Sequence, residues 1–515
     1  MRDWLGQRAR ASPEAAALVD ARDGGAYSYD DLDERVELLA GRLAAEGTGV
    51  DDHVGLLASG VDAVAAVHAT MRVGARLVPL SAALTAAELA PRIDRADLDA
   101  LLCDAGTAER ALAALDGEDG EGPESDPLVR VLGGSRVEVG VETGSCRPLA
   151  ATTPRPFELP EWALEDPLVM LYTSGTTGRP KLVVLTVKNL LASAAGSAFR
   201  LGVLPDDRWA SPLTTSSMGG LAPIYRASLY GSAVVRCPTD PEALLAAMAD
   251  HGATGVSLVP TLLSRLLDAG DLPDSLRAVL LGGAPAPEDL IERCADRGVP
   301  VCPTYGMTET ASQVATARPG EAVEHVGTVG RPLLFTEVTV VDERGDPVAT
   351  GESGELVVAG PTVTPGYYGD PELTAAAFDG RGLRTGDVGY RDEAGRLWVH
   401  NRLDDRIVTG GRNVDPGEVA AVLRDLPGVR DAAVVGLEDR EWGQRVAALV
   451  EPRPDADGSD LDAATVEAHC RERLAGYKLP RVVAFDAIPR TASGTADREA
   501  VRERLRTARN AASGD

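Results

Sequence analysis

Apolar residues recur at helical spacing through DLDERVELLAGRLAAEG (31–47), a stretch that ends on a glycine stop. The next apolar run, VGLLAS (54–59), is short and predicts a buried strand. VDAVAAVHATMRVGA (61–75) predicts a helix, and RLVPL after it another strand. The alternation continues beyond residue 161, as in GATGVSLVPTLLSRLLDAG followed by LRAVLLGGAP. Strand–helix–strand order of this kind predicts an α/β fold of parallel sheets with helices on both faces.

Between 325 and 400 the pattern changes to short alternating runs, FTEVTVVDERGDPV, GELVVAG and GRLWVH, with Asp-Gly and Gly-Asp turns. They predict a small barrel-like or antiparallel segment. After about 404 an α+β texture follows. EVAAVLRDL and VEAHCRERLAGY predict helices, RVAALVEP and PRVVAFDAI strands, and VRDAAVVGLED a strand running into a loop. The expected organisation is a large domain over 1–401, a junction at 402–405 and a small domain over 406–515. DGEDGEGPESDPL (116–128) reads as an exposed loop, and PRPDADGSDLD as an acidic turn.

The 515 residues carry 79 acidic and 51 basic side chains, for a formal net charge of -28. The length alone predicts more than one domain. Such a surface repels polyanions, which excludes nucleic-acid binding as the main role. Only three basic residues are lysines, Lys181, Lys188 and Lys478. Two origins of the acidity stay open: adaptation to high salt, which screens the repulsion, and a GC-rich genome, which favours Arg over Lys. The charge balance favours salt. Six scattered cysteines without a CxxC pair fit a reducing cytoplasm. The N-terminus lacks a signal-peptide apolar core, and no apolar run reaches about 18 residues, so no membrane insertion is expected. A homo-oligomeric state stays open.

Five stretches carry the chemistry. LYTSGTTGRPK (171–181) packs Thr, Gly and Ser between apolar runs and closes on Lys181; glycine freedom lets amides and hydroxyls surround phosphate oxygens. It is not a Walker loop. In PTYGMTET (303–310), Tyr305 offers a stacking face, Thr308 a phosphate donor and Glu309 an oxygen ligand for Mg2+. LRTGDVG (383–389) sets Asp387 in a turn able to accept from sugar hydroxyls. NRLDDRIVTGGRNVDPGEV (401–419) brings Arg402, two Asp and the Gly410-Gly411 turn. IPRTASGTADREAV lies near the C-terminus.

In this order, the five stretches resemble the adenylate-forming superfamily of acyl-CoA synthetases, firefly-type luciferases and peptide-synthetase adenylation domains. The resemblance spans essentially the whole chain and includes LGGAPAP (281–287), GTVGRPL (327–333) and DREWGQ (439–444). It implies a two-step ligase: a carboxylate and ATP give an acyl-AMP and pyrophosphate, with Mg2+ bound, and CoA then displaces AMP. Ser174, Thr176, Thr177 and Lys181 would hold the β- and γ-phosphates, with Thr173, Gly175 and Gly178 in the same cofactor-binding loop. Gly283, Ala284, Pro285 and Tyr305 would frame adenine. Thr308 would meet the α-phosphate, Glu309 the metal, and Asp387 with Arg402 the ribose. Asp404 would be the hinge of a mobile C-terminal cap, with Gly410 and Gly411 facing the pantetheine path. Ser217, Gly219, Gly220, Gly306, Ser312 and Gln313 would line the acid site. YGMTETASQ, VTGGRNVDPGEV and VSLVPTLL are most similar to the o-succinylbenzoate–CoA ligase group of menaquinone synthesis.

Two positions depart from the family pattern. The C-terminal motif usually reads Ser-Gly-Lys, the lysine bridging carboxylate and α-phosphate; here it is Ser493-Gly494-Thr495. Losing that charge costs about 3 kcal/mol, roughly a hundredfold in adenylation rate. Lys478, Arg490 and Arg498 are the nearby cations. In SPLTTSSMGGLAP (211–223), Ser216 and Ser217 stand where relatives carry His or an aromatic, implying a more polar pocket or a different acid. The six histidines show no metal-ligand spacing and are read as non-catalytic. VLGGSR (131–136) looks like a carrier attachment site but lacks a preceding Asp or His. The alternatives are therefore a ligase for another aromatic or short-chain acid, and a weakened paralogue that binds nucleotide or acyl-adenylate.

Overall fold

Helix Tyr29–Ala45 begins at a reciprocal cap: Ser28 accepts from the Asp31 amide, and Asp31 accepts from the Ser28 amide. Its buried Leu32, Val36, Leu39 and Leu43 form the single apolar stripe that the spacing predicts. Helix Gly60–Val73 differs, being buried over nearly its whole length. The computed structural model describes residues 3–116, 127–133, 146–173, 180–403, 407–409, 412–414, 416–439, 442–453, 461–490 and 496–513. The chain forms two compact units. One holds Met1–Gly282, Ala286–Val338 and Val358–Leu383; the other holds Gly283–Pro285, Thr339–Val357 and Arg384–Asp515.

The first unit contains two sheets. In the nine-stranded sheet, Ala16–Asp20, Ala233–Arg236, Arg208–Ser211, Gly255–Leu258, Ala278–Leu281 and Val301–Tyr305 run parallel. The eight-stranded sheet has a parallel centre built on His53–Leu57, flanked by Arg76–Pro79 and Ala100–Cys103. Both sheets depart from the all-parallel expectation toward an edge, where neighbouring strands pair antiparallel. Pro167–Thr173 pairs antiparallel with Lys181–Thr186, and Gly366–Tyr367 adds antiparallel to that strand.

In the second unit, residues 387–391 pair antiparallel with Leu397–Arg402, the expected short β segment. The C-terminal sheet carries Val429–Asp439 and Gly443–Pro452 paired along their length, flanked by helices Pro416–Arg424 and Ala463–Arg473. The predicted loop at the end of VRDAAVVGLED is strand, because that register extends to Asp439 opposite Gly443. Residues 117–126 and 454–460, the cores of the two acidic loops, lie outside the described residues. Among the described residues, no helix is long and apolar enough to cross a membrane. The five cysteines whose side chains are described are buried, free thiols.

Candidate active site

Thr173 and Lys181 face each other across the antiparallel pair Pro167–Thr173 and Lys181–Thr186. The chain that leaves at Thr173 therefore returns at Lys181, and the Ser/Thr/Gly-rich connection is bracketed by a fixed register. Ser174, Gly175, Thr176, Thr177 and Gly178 lie outside the described residues. Thr186, at the end of the second strand, caps helix Val187–Leu201 in a box with Asn189. The buried Asn189 amide then donates to the carbonyls of Pro361, at 2.9 Å, and Val363, at 2.8 Å.

Those bonds pin the segment PTVTPGY. Thr364 adds two more: its hydroxyl donates to the Val184 carbonyl at 2.6 Å, and its amide to the Glu309 carbonyl at 2.8 Å. Gly366, at φ 147°, packs against Thr374, whose side chain occupies the space a Cβ would need. Tyr367 then pairs with Val183, which puts it diagonal to Lys181 on one face of the sheet. Lys181 Nζ lies 5.4 Å from the centre of the Tyr367 ring, and Tyr367 Oη donates to Glu309 Oε1 at 3.1 Å. Lys181, Tyr367 and Glu309 thus form one connected group.

Glu309 sits in the single turn Thr308–Thr310, whose first amide, at Met307, is held by the Thr310 hydroxyl at 3.2 Å. Tyr305 ends strand Val301–Tyr305 opposite Ala315. Between them, Gly306 lies so close to the Ser312 carbonyl that no Cβ fits. The return path is strained: Ala311 has φ 52° and Ser312 φ 114°, both unusual for residues with a side chain. Gln313 is buried, donates to Thr316 at 2.8 Å, and its Oε1 has no partner among the described residues. Thr308 and Glu309 are half-buried, so both are reachable from solvent.

Ser217 is exposed and precedes helix Met218–Tyr230; its hydroxyl donates to the Thr214 carbonyl at 3.1 Å. Gly220 packs directly on the Thr214 backbone and Gly219 on the Leu213 side chain, so both glycines let the first helical turn close on that segment. Further along this helix lies Arg226, a residue that sequence reasoning missed. Its guanidinium donates to the Ser193 hydroxyl at 2.9 Å, and Ser193 donates to the Ala311 carbonyl at 2.6 Å. No carboxylate pairs with Arg226 among the described residues, and burial pulls its pKa below the usual arginine value. An arginine in a helix normally marks a solvated face, so the sequence held no signal for it. Tyr367 was missed because its role depends on strand pairing across almost the whole unit.

In the second unit, Asp387 is buried and faces Arg402 across the paired strands, with Arg402 Nε 3.9 Å from its carboxylate. The Thr385 hydroxyl accepts from the Asp387 amide at 3.0 Å and donates to the Leu356 carbonyl at 2.7 Å. Gly283 takes φ 82°, a left-handed turn followed by Ala284 and Pro285. Asp404, Gly410, Gly411 and Thr495 lie outside the described residues. Among the described residues, no three His, Cys, Asp or Glu side chains cluster as a metal cage. Glu309 alone, with one oxygen held by Tyr367, suits Mg2+, which keeps its waters and binds through one or two carboxylates plus substrate phosphates.

The AMP-binding enzyme family matches residues 5–368, and the AMP-binding enzyme C-terminal domain matches residues 418–495. A 2-succinylbenzoate–CoA ligase of Geobacillus kaustophilus is 38% identical over 500 residues, covering 96% of both chains. The o-succinylbenzoate CoA synthetase of Bacillus subtilis, solved with its acyl-adenylate intermediate OSB-AMP, superposes with a TM-score of 0.85 at 31% identity, covering 98% of both chains. ATP-bound MatB from Rhodopseudomonas palustris reaches 0.84 at 28% identity, covering 98% of this chain and 99% of its own. The backbone is therefore shared by enzymes of different names. From the Thr173–Lys181 bracket to the Glu309 turn, the site lies within the stretch that the first family match covers, and this chain belongs to the AMP-binding enzyme family.

Proposed function

We propose that this chain is an AMP-forming acid–CoA ligase whose acid is 2-succinylbenzoate, acting in menaquinone biosynthesis. Relatives of that name align over 96% of the chain. The observation in the site that carries the choice of acid is Arg226. 2-Succinylbenzoate has two carboxylates; one is activated, and the other needs a counter-charge. A half-buried guanidinium with no carboxylate of its own among the described residues, hydrogen-bonded through Ser193 to the 306–313 turn, supplies it. This also accounts for Ser216 and Ser217 in place of larger side chains, since the pocket serves a polar acid.

In the first half-reaction a carboxylate oxygen bonds to the α-phosphorus while the bond from that phosphorus to the α–β bridging oxygen breaks, and pyrophosphate leaves with its electron pair. In the second, the CoA sulfur bonds to the acyl carbon, the carbon–oxygen bond to AMP breaks, and the thiol proton goes to solvent. Lys181 offsets charge on the leaving phosphates, and Thr308 donates to the α-phosphate. Mg2+, when bound, neutralises charge shared by the phosphates, and Glu309 is the residue that would hold it. The remaining assignments stand as proposals from the sequence resemblance: adenine at Tyr305 and Gly283–Pro285, ribose at Asp387 and Arg402, acid contacts at Ser217, Gly219, Gly220, Gly306, Ser312 and Gln313. A hinge at Asp404 between 1–401 and 406–515 and a pantetheine path at Gly410 and Gly411 belong with them.

The test is product identification by mass spectrometry from ATP, CoA and 2-succinylbenzoate. The expected products are the CoA thioester, AMP and pyrophosphate; ADP in place of AMP contradicts the reading.

A further inference from the structure

Resting on that reading, we infer that Tyr367 is a positioning residue that sets both the metal-binding carboxylate and the phosphate-binding lysine. One side chain meets both: its hydroxyl donates to Glu309 Oε1 at 3.1 Å, and its ring lies 5.4 Å beneath Lys181 Nζ. Neither contact is incidental to packing. Tyr367 is buried, its strand is locked to Val183 and Val184, and the Thr374 hydroxyl accepts from its amide at 3.0 Å. The same segment holds the Glu309 backbone through the Thr364 amide. Carboxylate and tyrosine therefore move as one body, while Lys181 lies on the adjoining strand.

The two halves of the side chain do different work. A hydroxyl that occupies one carboxylate oxygen fixes the rotation of the group and leaves the other oxygen directed at the cation, the role outer ligands play around metals. The ring face attracts the ammonium and limits its swing, so Lys181 waits where phosphate oxygens arrive. Removing the hydroxyl alone should weaken the metal; removing the ring as well should weaken the nucleotide.

The experiment measures Mn2+ binding by electron paramagnetic resonance with a non-hydrolysable ATP analogue present, and binding of the metal-free analogue by calorimetry. Wild type is compared with Tyr367→Phe and Tyr367→Leu. Expected for Tyr367→Phe is Mn2+ binding weakened about tenfold with metal-free nucleotide binding unchanged. Tyr367→Leu should weaken both, the nucleotide several-fold. In a Glu309→Gln background, Tyr367→Phe should add nothing further. Wild-type Mn2+ affinity in Tyr367→Phe, or equal losses of metal and nucleotide in both variants, overturns the inference. If Tyr367→Phe does not fold, Tyr367→Leu decides: an unchanged metal affinity there also overturns it. Failure of wild type itself to bind Mn2+ with the nucleotide overturns the ligase reading instead.

Discussion

Lys478 Nζ lies 2.6 Å from both carboxylate oxygens of Glu418. Of the cations near Thr495 in sequence, this one is already neutralised, and Arg490 is likewise bound to Asp431. Either would have to leave its carboxylate to replace the lysine that the family pattern places at 495. Lys478→Ala should therefore leave pyrophosphate release within about twofold. Thr495→Lys should raise it by up to about a hundredfold, the value of one charge at a phosphoryl transition state. A collapse of adenylation in Lys478→Ala would show that the Glu418 pair opens during turnover.

Gly306 has no room for a side chain, because the Ser312 carbonyl and the Gln313 backbone close on it. The neighbours that would have to move are backbone, so they cannot give as a side-chain tip can. Gly306→Ala should destabilise the first unit by about 3 kcal/mol, at the upper end of overpacking costs. It should also displace the Glu309 turn. Thermal melting and pyrophosphate release check it together; a melt unchanged from wild type contradicts the packing.

His68 is buried against Tyr225, and its Nδ1 has no hydrogen-bond partner among the described residues. Burial, and then the Arg72 charge, hold its pKa down at about 3. The unfolded chain thus takes up this proton before the folded one. Its contribution is complete above pH 6.5 and is lost as the pH falls toward 3. Carboxylates act lower: burial opposes ionisation of Glu46, but bonds from Arg130 and Thr152 hold it at about 2, so its contribution is lost only below about pH 4.5. Between pH 6.5 and 4.5, wild type should lose on the order of 2 kcal/mol more than His68→Leu, measured by urea unfolding at each pH. Parallel pH profiles for the two proteins would contradict it.

How much of this was legible in the sequence depends on the range of the contact. Helix Tyr29–Ala45 and strand His53–Leu57 follow from apolar periodicity, because each element buries its own face. Thr308 and Glu309 follow from a local motif whose turn is held by its own Met307 and Thr310. The antiparallel edges were not legible, since composition does not distinguish a returning strand from a parallel one. Tyr367 and Arg226 were hidden for the same reason. Their partners Glu309 and Ser193 lie 58 and 33 residues away. Only the register of Gly366–Tyr367 on Val183 and Val184, and the packing of helix Met218–Tyr230, bring them together.

On the proposed reading Arg226 meets the second carboxylate of the acid, so its removal should be felt only by acids that carry one. Arg226→Met should raise the KM for 2-succinylbenzoate by 10- to 100-fold, the worth of about 1.5–3 kcal/mol for a hydrogen bond to a charged group. Activity on a 2-acylbenzoate lacking the distal carboxylate should stay as in wild type. Equal losses on both acids would assign Arg226 to the fold.

The central claim is that 2-succinylbenzoate is the acid adenylated, and pyrophosphate release from purified enzyme with ATP, Mg2+ and a panel of acids tests it most directly. The panel pairs 2-succinylbenzoate with benzoate, a 2-acylbenzoate without the distal carboxylate, a short-chain acid and a fatty acid. The account predicts release that depends on 2-succinylbenzoate and exceeds every other acid by at least about tenfold. Release driven equally by a monocarboxylic acid, or none with 2-succinylbenzoate even in Thr495→Lys, would contradict it.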